Sequence, residues 1–498
     1  MIKKSMVKIF LIHIPNIKNR DYEELIIPNG LLYIYNFLKK QNSKVEIGVL
    51  FSDCVDEFVE CIDNNTIIGF SVNSSNKNIV FETAKKIKSV NKNIITVAGG
   101  PFITLAPDEF LNKINSIDYF FKGEGEVILS EFLKSSTKFK KINHASRIDN
   151  LDEMGFPAQS DLIYSNILTS RGCPGSCIYC SSKMLWDRKI KLRSAESVVS
   201  EINLLYNKNI DYFVFSDDTF TINKKRTFEI LDGIKQNKII FDLRSRTDFI
   251  SDNMAEKLAE AGCVSVSFGI ESGSPSILST LNKNICLDKS IDVINDFKKN
   301  GILVNLFFIV GNPGETEKDI VLTQDFIKKA RPDWITVYGL HYYPGCELAE
   351  KYPAGKNLLT NSQSVYYDNP ASIDKKKQAL YSTFKKFKNI KNFDYYKNID
   401  SSFRIKFRFY DFAGDNAKNE REKINFYTKA LEYYESPEIM YKIGVMGNKK
   451  MLKKAAEKFY FQLSNDIRKS EDFIKNCKIC FDTYGNRDFI DFVESEFL

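Results

Sequence analysis

Three cysteines lie close together in one short segment of the chain. Cys173, Cys177 and Cys180 occur in the run RGCPGSCIYCSS, where three residues and then two separate them. Thiolates are soft ligands that suit iron–sulfur clusters, and closely spaced cysteines commonly hold such clusters. Zinc sites more often combine two Cys-x2-Cys pairs, and no second pair lies within a zinc finger's reach here. The spacing therefore predicts a [4Fe–4S] cluster in which cysteines hold three irons and the fourth stays open.

The cysteine segment belongs to a series of strands and helices that begins near residue 166. Six apolar strands alternate there with helical stretches, which predicts an open, partial (β/α)6 barrel of the TIM type. Reacting groups are expected at the carboxyl ends of such strands, and the cysteines follow the first strand. Residues 141–163 lack periodicity and predict a linker, and the lysine- and aromatic-rich stretches after residue 356 predict a mainly helical domain.

An earlier series of strands occupies residues 7 to about 135. Short segments rich in Val, Ile and Phe alternate with helix candidates such as NIVFETAKKIKSV, as expected for buried parallel strands. This βαβ repetition predicts a doubly wound, Rossmann-like α/β sheet whose ligand binds beyond the carboxyl ends of the strands. The predicted domains are therefore 1–140, the linker 141–163, the barrel 164–355 and the helical domain 356–498.

Composition places the chain among soluble globular proteins. It has 498 residues, which is too long for one compact core, with 43% hydrophobic and 27% charged residues. Its apolar runs are strand-sized, so the sequence predicts no membrane span, and the N-terminal run predicts a first strand rather than a signal peptide. Ten cysteines in so long a chain do not predict a disulfide framework. An oxygen-sensitive cluster favours a reducing cytoplasm.

The excess positive charge lies in the C-terminal part of the chain. From Lys356 onward there are 27 Lys and Arg against 20 Asp and Glu, which accounts for the whole net charge of +7. A basic tail could bind nucleic acid, but lysines scattered over solvated helix faces explain the same charge. Nucleic-acid binding is therefore the less favoured interpretation.

The cysteine run resembles the signature of the radical SAM enzymes, in which an aromatic residue, here Tyr179, precedes the last cysteine. The resemblance implies that the open iron binds the amino and carboxylate groups of S-adenosylmethionine. It implies that one electron from the cluster then yields a 5′-deoxyadenosyl radical. A reductant such as flavodoxin or ferredoxin is the partner that this chemistry implies.

Between residues 164 and 350 of this chain, the segments that end the barrel strands are also similar to those of the radical SAM enzymes. The resemblance implies that Ser216, Asp217 and Asp218 hold the methionine amino group, which needs an acceptor. Many relatives carry Gly-Gly-Glu there, so which aspartate acts stays open. Arg244 and Arg246 alternate on the third strand, and Arg246 is the candidate partner of the methionine carboxylate. The remaining contacts that the family implies are Tyr179, Glu271, Ser272 and Val310.

The first series of strands resembles the cobalamin-binding domain that precedes the barrel in one large radical SAM subfamily. The matching segments are PNGLLYIYNFL at 28–38, VAGGPFIT at 97–104 and DYFFKGEGE at 118–126. No Asp-x-His-x-x-Gly motif occurs, so a lower axial histidine is not supplied in the usual way, and His13 is interpreted as a core histidine. A domain of this fold that has lost its ligand stays an alternative. The cobalamin contacts implied by the resemblance are Ser71, Asn73, Ser74, Ser75, Gly99, Gly100, Gly123, Glu124 and Gly125.

Together the resemblances imply a cobalamin-dependent radical SAM enzyme that methylates an unactivated carbon of a small-molecule, lipid or peptide substrate. The substrate radical would take its methyl group from methylcobalamin. Cyclisation, rearrangement or oxidation by the same architecture stays open, as does a non-enzymatic cobalamin or iron–sulfur sensor. Tyr342, Tyr343 and Cys346 are candidates to line the substrate cavity, and His341 is a candidate acid or base. Cys477 and Cys480 are interpreted as packed helix cysteines rather than ligands.

Overall fold

The computed structural model divides the chain into two compact units. Their described parts run from Lys8 to Ser160 and from Ser165 to Leu431. Most of the predicted helical domain lies outside the described residues, as do Cys477 and Cys480. The structure describes residues 8–14, 28–41, 43–50, 55–60, 66–160, 165–208, 210–343, 345–352, 366–387 and 420–431.

The first unit is built on a six-stranded sheet in which every paired strand is parallel. The strands lie in the order β2-β1-β3-β4-β5-β6, so the direction of winding reverses between β1 and β3. Ligands of doubly wound sheets bind at such a reversal, outside the carboxyl ends of the strands. The strands are β1 Lys8–His13, β2 Lys44–Val49, β3 Thr66–Ser71, β4 Ile95–Gly99, β5 Tyr119–Lys122 and β6 Ile142–His144. The prediction of a Rossmann-like sheet is confirmed.

Helices flank this sheet and form its core with the strands. Leu31, Leu38 and Phe132 come from helices and pack with Ile9 and Val97 of the strands in one buried apolar cluster. The helices are α1 Asn29–Lys40, α2 Val55–Glu60, α3 Lys77–Val90, α4 Pro101–Leu105, α5 Asp108–Asn112 and α6 Gly125–Lys134. Residues 141–163, predicted as a linker, contribute strand β6 and two short 3-10 turns, Leu151–Met154 and Pro157–Ser160. The Asn36 side chain of α1 anchors the first of these turns, since its Nδ2 donates to the Met154 carbonyl at 3.2 Å.

The second unit contains a six-stranded parallel sheet in the order β7-β10-β11-β12-β13-β14. These strands are β7 Asn166–Ile167, β10 Tyr212–Phe215, β11 Ile240–Ser245, β12 Cys263–Glu271, β13 Leu303–Val310 and β14 Trp334–Gly339. The short strands β8 Ser170–Arg171 and β9 Lys191–Leu192 form an antiparallel ribbon. The sheet follows the six predicted strands in order, which confirms the partial barrel.

Helices alternate with these strands along the chain and continue after the last of them. They are α7 Ser182–Leu185, α8 Ala195–Tyr206, α9 Lys224–Ile234, α10 Met254–Ala261, α11 Pro275–Thr280, α12 Leu287–Lys299, α13 Glu317–Ala330, α14 Glu347–Lys351, α15 Pro370–Phe387 and α16 Glu420–Leu431. In the described part of the chain, none of the helices combines the length and apolar character needed to cross a bilayer.

Side chains of the strands alternate between this helical layer and the concave face of the sheet. Phe308 of β13 packs against Phe326 of α13 with ring centroids 6.4 Å apart. Asn305 of the same strand instead donates from Nδ2 to the Ser267 hydroxyl of β12 at 3.2 Å. Because strand side chains alternate, the odd-numbered residues of β13 face the concave side. The concave side is therefore partly polar, whereas the helix-facing side is apolar.

Candidate functional site

The cysteine loop begins at a residue that only glycine can occupy without strain. Gly172 has a φ of +99°, and a Cβ atom there would lie 2.5 Å from the Lys189 carbonyl oxygen. Both conditions favour glycine, because L-residues rarely adopt such a φ and the carbonyl belongs to the backbone. The turn at Gly172 leads from strand β8 into Cys173.

Backbone hydrogen bonds fix the middle of the loop to two neighbouring segments. The Ile178 amide donates to the Leu281 carbonyl at 3.1 Å, and the Ile178 carbonyl accepts from the Leu348 amide at 2.9 Å. Asn282 also donates from Nδ2 to the Ser176 carbonyl at 3.0 Å. The Ile178 side chain packs in a buried cluster with Leu340, Tyr342, Cys346 and Leu348. Hydrogen bonds and apolar packing therefore both hold the middle of the loop in place.

The three thiols have different neighbours. The Cys173 sulfur lies 3.4 Å from the Thr219 hydroxyl, and Cys177 accepts from Arg246 Nη1 at 3.6 Å. Burial raises the pKa of the Cys180 thiol to about 12, with a further contribution from the nearby Asp218 carboxylate. Iron binding would have to displace that proton, as metal binding to thiols does in general. Three thiols on one anchored loop are a suitable donor set for an iron–sulfur cluster. Within the described residues, no three His, Cys, Asp or Glu side chains converge so as to hold a single metal ion.

The two aspartates that end β10 lie in different surroundings. The Asp217 side chain is fully buried and accepts hydrogen bonds from Ser170 and, at 2.9 Å, from the Thr169 hydroxyl. Burial raises the pKa of Asp217, although these hydrogen bonds oppose the shift. Asp218 is exposed, and its carboxylate accepts a hydrogen bond from Ser182, two residues beyond Cys180. Asp218 therefore remains open beside the cysteine loop, whereas Asp217 joins β10 to the segment 169–170.

Glu271 ends β12 in a strained conformation. Its φ is +70°, which is uncommon for a residue with a side chain, and strain of this kind is frequent at functional sites. Its carboxylate pairs with Lys283 at 3.3 Å, and both side chains are buried. Burial raises the pKa of Tyr179 well above its usual value, and the charge of Glu271 and a hydrogen bond with Cys177 add to that shift. Tyr179 is thus near both Glu271 and Cys177.

The remaining predicted contacts with S-adenosylmethionine already have protein partners. Arg246 pairs through Nε and Nη2 with both oxygens of Asp248, at 2.9 and 2.8 Å. The Ser272 hydroxyl is buried and lies 3.2 Å from that of Thr323 on α13.

The other two predicted contacts, Val310 and Ser216, form backbone hydrogen bonds. The Val310 carbonyl accepts from the Leu340 amide at 2.9 Å. Ser216, at the end of β10, donates its amide to the Ile167 carbonyl at 2.8 Å and is half-buried.

The residues after β14 form an aromatic group near the cysteine loop. The His341 ring lies 4.3 Å from that of Tyr366, and burial lowers the pKa of His341, with help from Lys377. Burial raises the pKa of Tyr343, and a smaller contribution comes from the neighbouring Cys180. Cys346 is fully buried in the apolar cluster under the loop. His341 and Tyr343 therefore stay candidates for the substrate side, while Cys346 lies in the core.

In the first unit, hydrogen bonds join the loops that follow β3, β4 and β5. The Val72 amide donates to the Gly99 carbonyl at 2.9 Å. The Thr104 hydroxyl then donates to the Gly100 carbonyl at 2.9 Å and accepts from the Gly123 amide at 3.0 Å. Gly100 has a φ of +101°, and a Cβ atom there would lie 2.8 Å from the Val72 carbonyl oxygen. We call residues 71–76, 99–104 and 123–125 the connected rim.

The predicted cobalamin contacts occupy this rim in different ways. The Asn73 carboxamide oxygen accepts from the amides of Ser75 and Asn76, both at 2.9 Å, which fixes the loop, while Ser74 and Ser75 are exposed. Ser71, Gly99 and Gly125 are half-buried, and Gly123 is exposed. Glu124 differs, because its buried carboxylate accepts from the Ile148 amide at 2.5 Å and lies 3.5 Å from Arg147. His13 is buried at the end of β1, as expected for a core histidine.

Three residues that organise these sites were not identified from the sequence. Asp248 orients Arg246, Lys283 pairs with Glu271, and Thr104 connects two loops of the rim. Asp248 follows Arg246 by two residues just beyond a strand, so that pair could have been found. Lys283 and Thr104 act on residues 12 and 19 positions away, and no spacing rule relates them.

A Rossmann-like unit followed by a partial barrel with three cysteines at its carboxyl end defines a radical SAM enzyme that carries a cobalamin-binding domain. The model of the radical SAM superfamily matches residues 167–327, and that of the B12 binding domain matches residues 19–133. An uncharacterized methyltransferase of Pyrococcus horikoshii is 32% identical over 375 residues, which cover 68% of this chain and 81% of the relative. The chain belongs to the radical SAM family with a B12-binding domain. Its cofactors are a [4Fe–4S] cluster, S-adenosylmethionine and cobalamin.

Two other proteins illustrate the range of this similarity. An anaerobic magnesium-protoporphyrin IX monomethyl ester cyclase of Rubrivivax gelatinosus is 26% identical over 290 residues, which cover 50% of this chain and 52% of the cyclase. The radical S-adenosylmethionine methyltransferase TsrM of Kitasatospora setae, solved with cobalamin and a [4Fe–4S] cluster, superposes with a TM-score of 0.59 at 18% identity. That superposition covers 70% of this chain and 78% of TsrM, and shows that the fold is shared.

Proposed function

We propose that the chain is a cobalamin-dependent radical SAM methyltransferase that acts on an unactivated carbon of a small-molecule, lipid or peptide substrate. The observation that carries the proposal is that one chain contains both an anchored three-cysteine loop and the connected rim. The relative from Pyrococcus horikoshii, which is named a methyltransferase, supports the same reaction class.

In this proposal Cys173, Cys177 and Cys180 hold the cluster, and Asp218 accepts the methionine ammonium group with Ser216 beside it. The exposed carboxylate of Asp218 and its position next to Cys180 support that role. When bound, the cluster and S-adenosylmethionine supply a 5′-deoxyadenosyl radical, and cobalamin carries the methyl group. Glu271 and Tyr179 line the same end of the sheet, where a closed cavity would exclude water from reactive species.

The connected rim is proposed to hold cobalamin. Its loops lie at the carboxyl ends of β3, β4 and β5, and the first of them follows β3 at the reversal of winding. Gly99, Gly100 and Gly123 would let the backbone approach the cofactor closely. Ser74 and Ser75 would present hydroxyl groups to it.

The enzyme requires a substrate and a one-electron reductant. We propose flavodoxin or ferredoxin as the reductant and the cytoplasm as the compartment, because an oxygen-sensitive cluster needs reducing surroundings. The protein contributes binding, orientation and electrostatics, while the cofactors supply the difficult chemistry.

The reaction class can be tested without knowing the substrate. Anaerobically reconstituted protein would be incubated with S-adenosylmethionine carrying a deuterated methyl group and with a reductant. A methyltransferase should release both S-adenosylhomocysteine and 5′-deoxyadenosine and transfer the label to the bound corrin. Deoxyadenosine without S-adenosylhomocysteine would favour cyclisation, rearrangement or oxidation instead. Absence of both products from cluster-loaded protein would favour the sensor.

A further inference from the structure

We infer that Arg246 is a positioning residue that raises the reduction potential of the cluster by donating a hydrogen bond to Cys177. The inference rests on the proposed ligation of the cluster by the three cysteines. It concerns the electron-accepting property of the cluster rather than the binding of S-adenosylmethionine.

All three nitrogens of the Arg246 guanidinium have acceptors. Nε and Nη2 pair with the two oxygens of Asp248 in a bidentate arrangement, at 2.9 and 2.8 Å. The third nitrogen, Nη1, lies 3.6 Å from the Cys177 sulfur. Arg246 is only 7% exposed, so the geometry is fixed by packing as well as by the ion pair. Asp248 therefore aims the remaining nitrogen at the cysteine loop.

The loop is shaped to accommodate this guanidinium. A Cβ atom at Gly175 would lie 2.6 Å from Arg246 Nη1, too close for an unshifted side chain. The Gly175 amide meanwhile donates to the Cys173 sulfur at 3.4 Å. Gly175 thus lets the turn between the first two cysteines lie directly over the guanidinium. The close approach of Gly175 to Arg246 Nη1 is a second observation that places the guanidinium cation beside the cysteine ligands.

The direction of the effect follows from charge. Three thiolates make the bound cluster anionic, and reduction adds one more negative charge. A cation held close by in a poorly solvated site stabilises the reduced form more than the oxidised form. A hydrogen bond to a ligand sulfur acts in the same direction, and both are recognised determinants of iron–sulfur potentials. Arg246 should therefore make the cluster easier to reduce.

Arg244 offers a matched control on the same strand. It carries the same charge two residues earlier, it is exposed, and within the described residues it forms no ion pair or hydrogen bond. Replacing Arg244 removes one positive charge from this part of the sheet without touching the cysteine loop. A comparison of R246Q with R244Q therefore separates the contact from the general charge.

The experiment is a potentiometric titration of the cluster, followed by low-temperature EPR in the absence of S-adenosylmethionine. R246Q should shift the reduction equilibrium about tenfold toward the oxidised form, which is about 59 mV for a one-electron couple. R246K keeps the positive charge but lacks the planar guanidinium group that donates to Asp248 and Cys177 at the same time. The reduction potential of R246K should therefore lie between those of R246Q and the unmodified protein. R244Q should leave the potential close to its original value.

A second variant guards against failure of R246Q to assemble a cluster. G175A should push Nη1 away from Cys177 and lower the potential in the same direction. Unchanged potentials in R246Q and G175A, or an equal shift in R244Q, would overturn the inference. An unchanged potential combined with a large loss of S-adenosylmethionine affinity in R246Q would assign Arg246 to the methionine carboxylate instead. Failure of the cluster assignment itself would appear earlier, as an iron count near zero in the unmodified protein.

Discussion

Asp217 and Asp218 are neighbours in the chain, yet their carboxylates accept hydrogen bonds from different segments at the end of β10. Asp217 is fully buried and accepts from Thr169 and Ser170, whereas Asp218 is exposed and accepts from Ser182. Only Asp218 is open to a ligand beside the cysteines. The sequence leaves open which aspartate binds the methionine ammonium group. We therefore propose that Asp218 binds it.

Replacement of these two aspartates should give opposite phenotypes. D218N should weaken binding of S-adenosylmethionine by about tenfold or more, since one charge-assisted hydrogen bond contributes about 1.5–3 kcal/mol, and should leave the thermal midpoint nearly unchanged. D217A should lower the unfolding free energy by about 1–3 kcal/mol, because it leaves buried hydroxyl groups without their acceptor. Equilibrium binding and thermal unfolding measure the two effects. A D217A protein of normal stability that no longer binds S-adenosylmethionine would contradict the assignment.

Gly172 should be essential for the cysteine loop. G172A introduces a Cβ atom 2.5 Å from a backbone carbonyl at a φ of +99°, so the turn into Cys173 must distort. Gly314 is the matched control, because its φ is +73° but no atom lies within 4 Å of the position that a Cβ atom would take there. We expect G172A to lose most of its reconstituted iron and G314A to retain it, at a stability cost of about 1 kcal/mol. Iron and sulfide analysis after gel filtration decides, and equal iron content in both variants would refute the role of Gly172.

The buried ion pair of Glu271 and Lys283 should behave as a coupled unit. K283M leaves the Glu271 carboxylate buried without its cation, which should lower the unfolding free energy by about 3–5 kcal/mol. The double variant E271L/K283M should recover much of that loss, because a buried pair replaced by apolar groups is often tolerated. Denaturant unfolding of the cofactor-free protein measures both. Additive losses in the double variant would show that the two residues act independently.

Lys376 should stabilise the start of α15 over a defined range of pH. Its ammonium group lies 2.8 Å from Asp368 and 3.1 Å from Glu315. Burial alone would lower the pKa of Lys376, but Asp368 and Glu315 raise it above its usual value. Burial would likewise raise the pKa of Asp368, but hydrogen bonds from Lys376 and Ser372 lower it.

The sign of the pH effect differs at the two ends of the range. The contribution of Asp368 is present above about pH 4 and is lost as the pH falls through its lowered pKa. The contribution of Lys376 is present below about pH 10 and is lost as the pH rises through its raised pKa. K376M should therefore lower the unfolding free energy by about 2 kcal/mol between these limits, with the difference shrinking below pH 4. K375M, which removes an exposed ion pair with Glu317, is the control and should change the unfolding free energy little. If the loss of unfolding free energy in K376M stayed equally large below pH 4, the assignment would be contradicted.

The sequence predicted the elements of the fold better than the contacts between them. Strand positions followed from short apolar runs, and the cysteine loop followed from its spacing, since both are local signals. The opposite orientations of Asp217 and Asp218 depend on strand twist and packing, which adjacent positions do not reveal. Pairing of Lys283 with Glu271 depends on how α11 returns to the strand end. Strand β6 was missed because three residues are too few to show alternation.

The central claim is that the chain holds an iron–sulfur cluster at Cys173, Cys177 and Cys180 and cobalamin at the connected rim. The most direct measurement reconstitutes the protein anaerobically with iron, sulfide and hydroxocobalamin, and then determines iron, corrin and 5′-deoxyadenosine formation after gel filtration. A C173A/C177A/C180A variant is measured in parallel. We predict that the unmodified protein retains iron and corrin and forms deoxyadenosine, while the variant retains only corrin. Iron and deoxyadenosine in the variant, or loss of corrin from the unmodified protein, would contradict it.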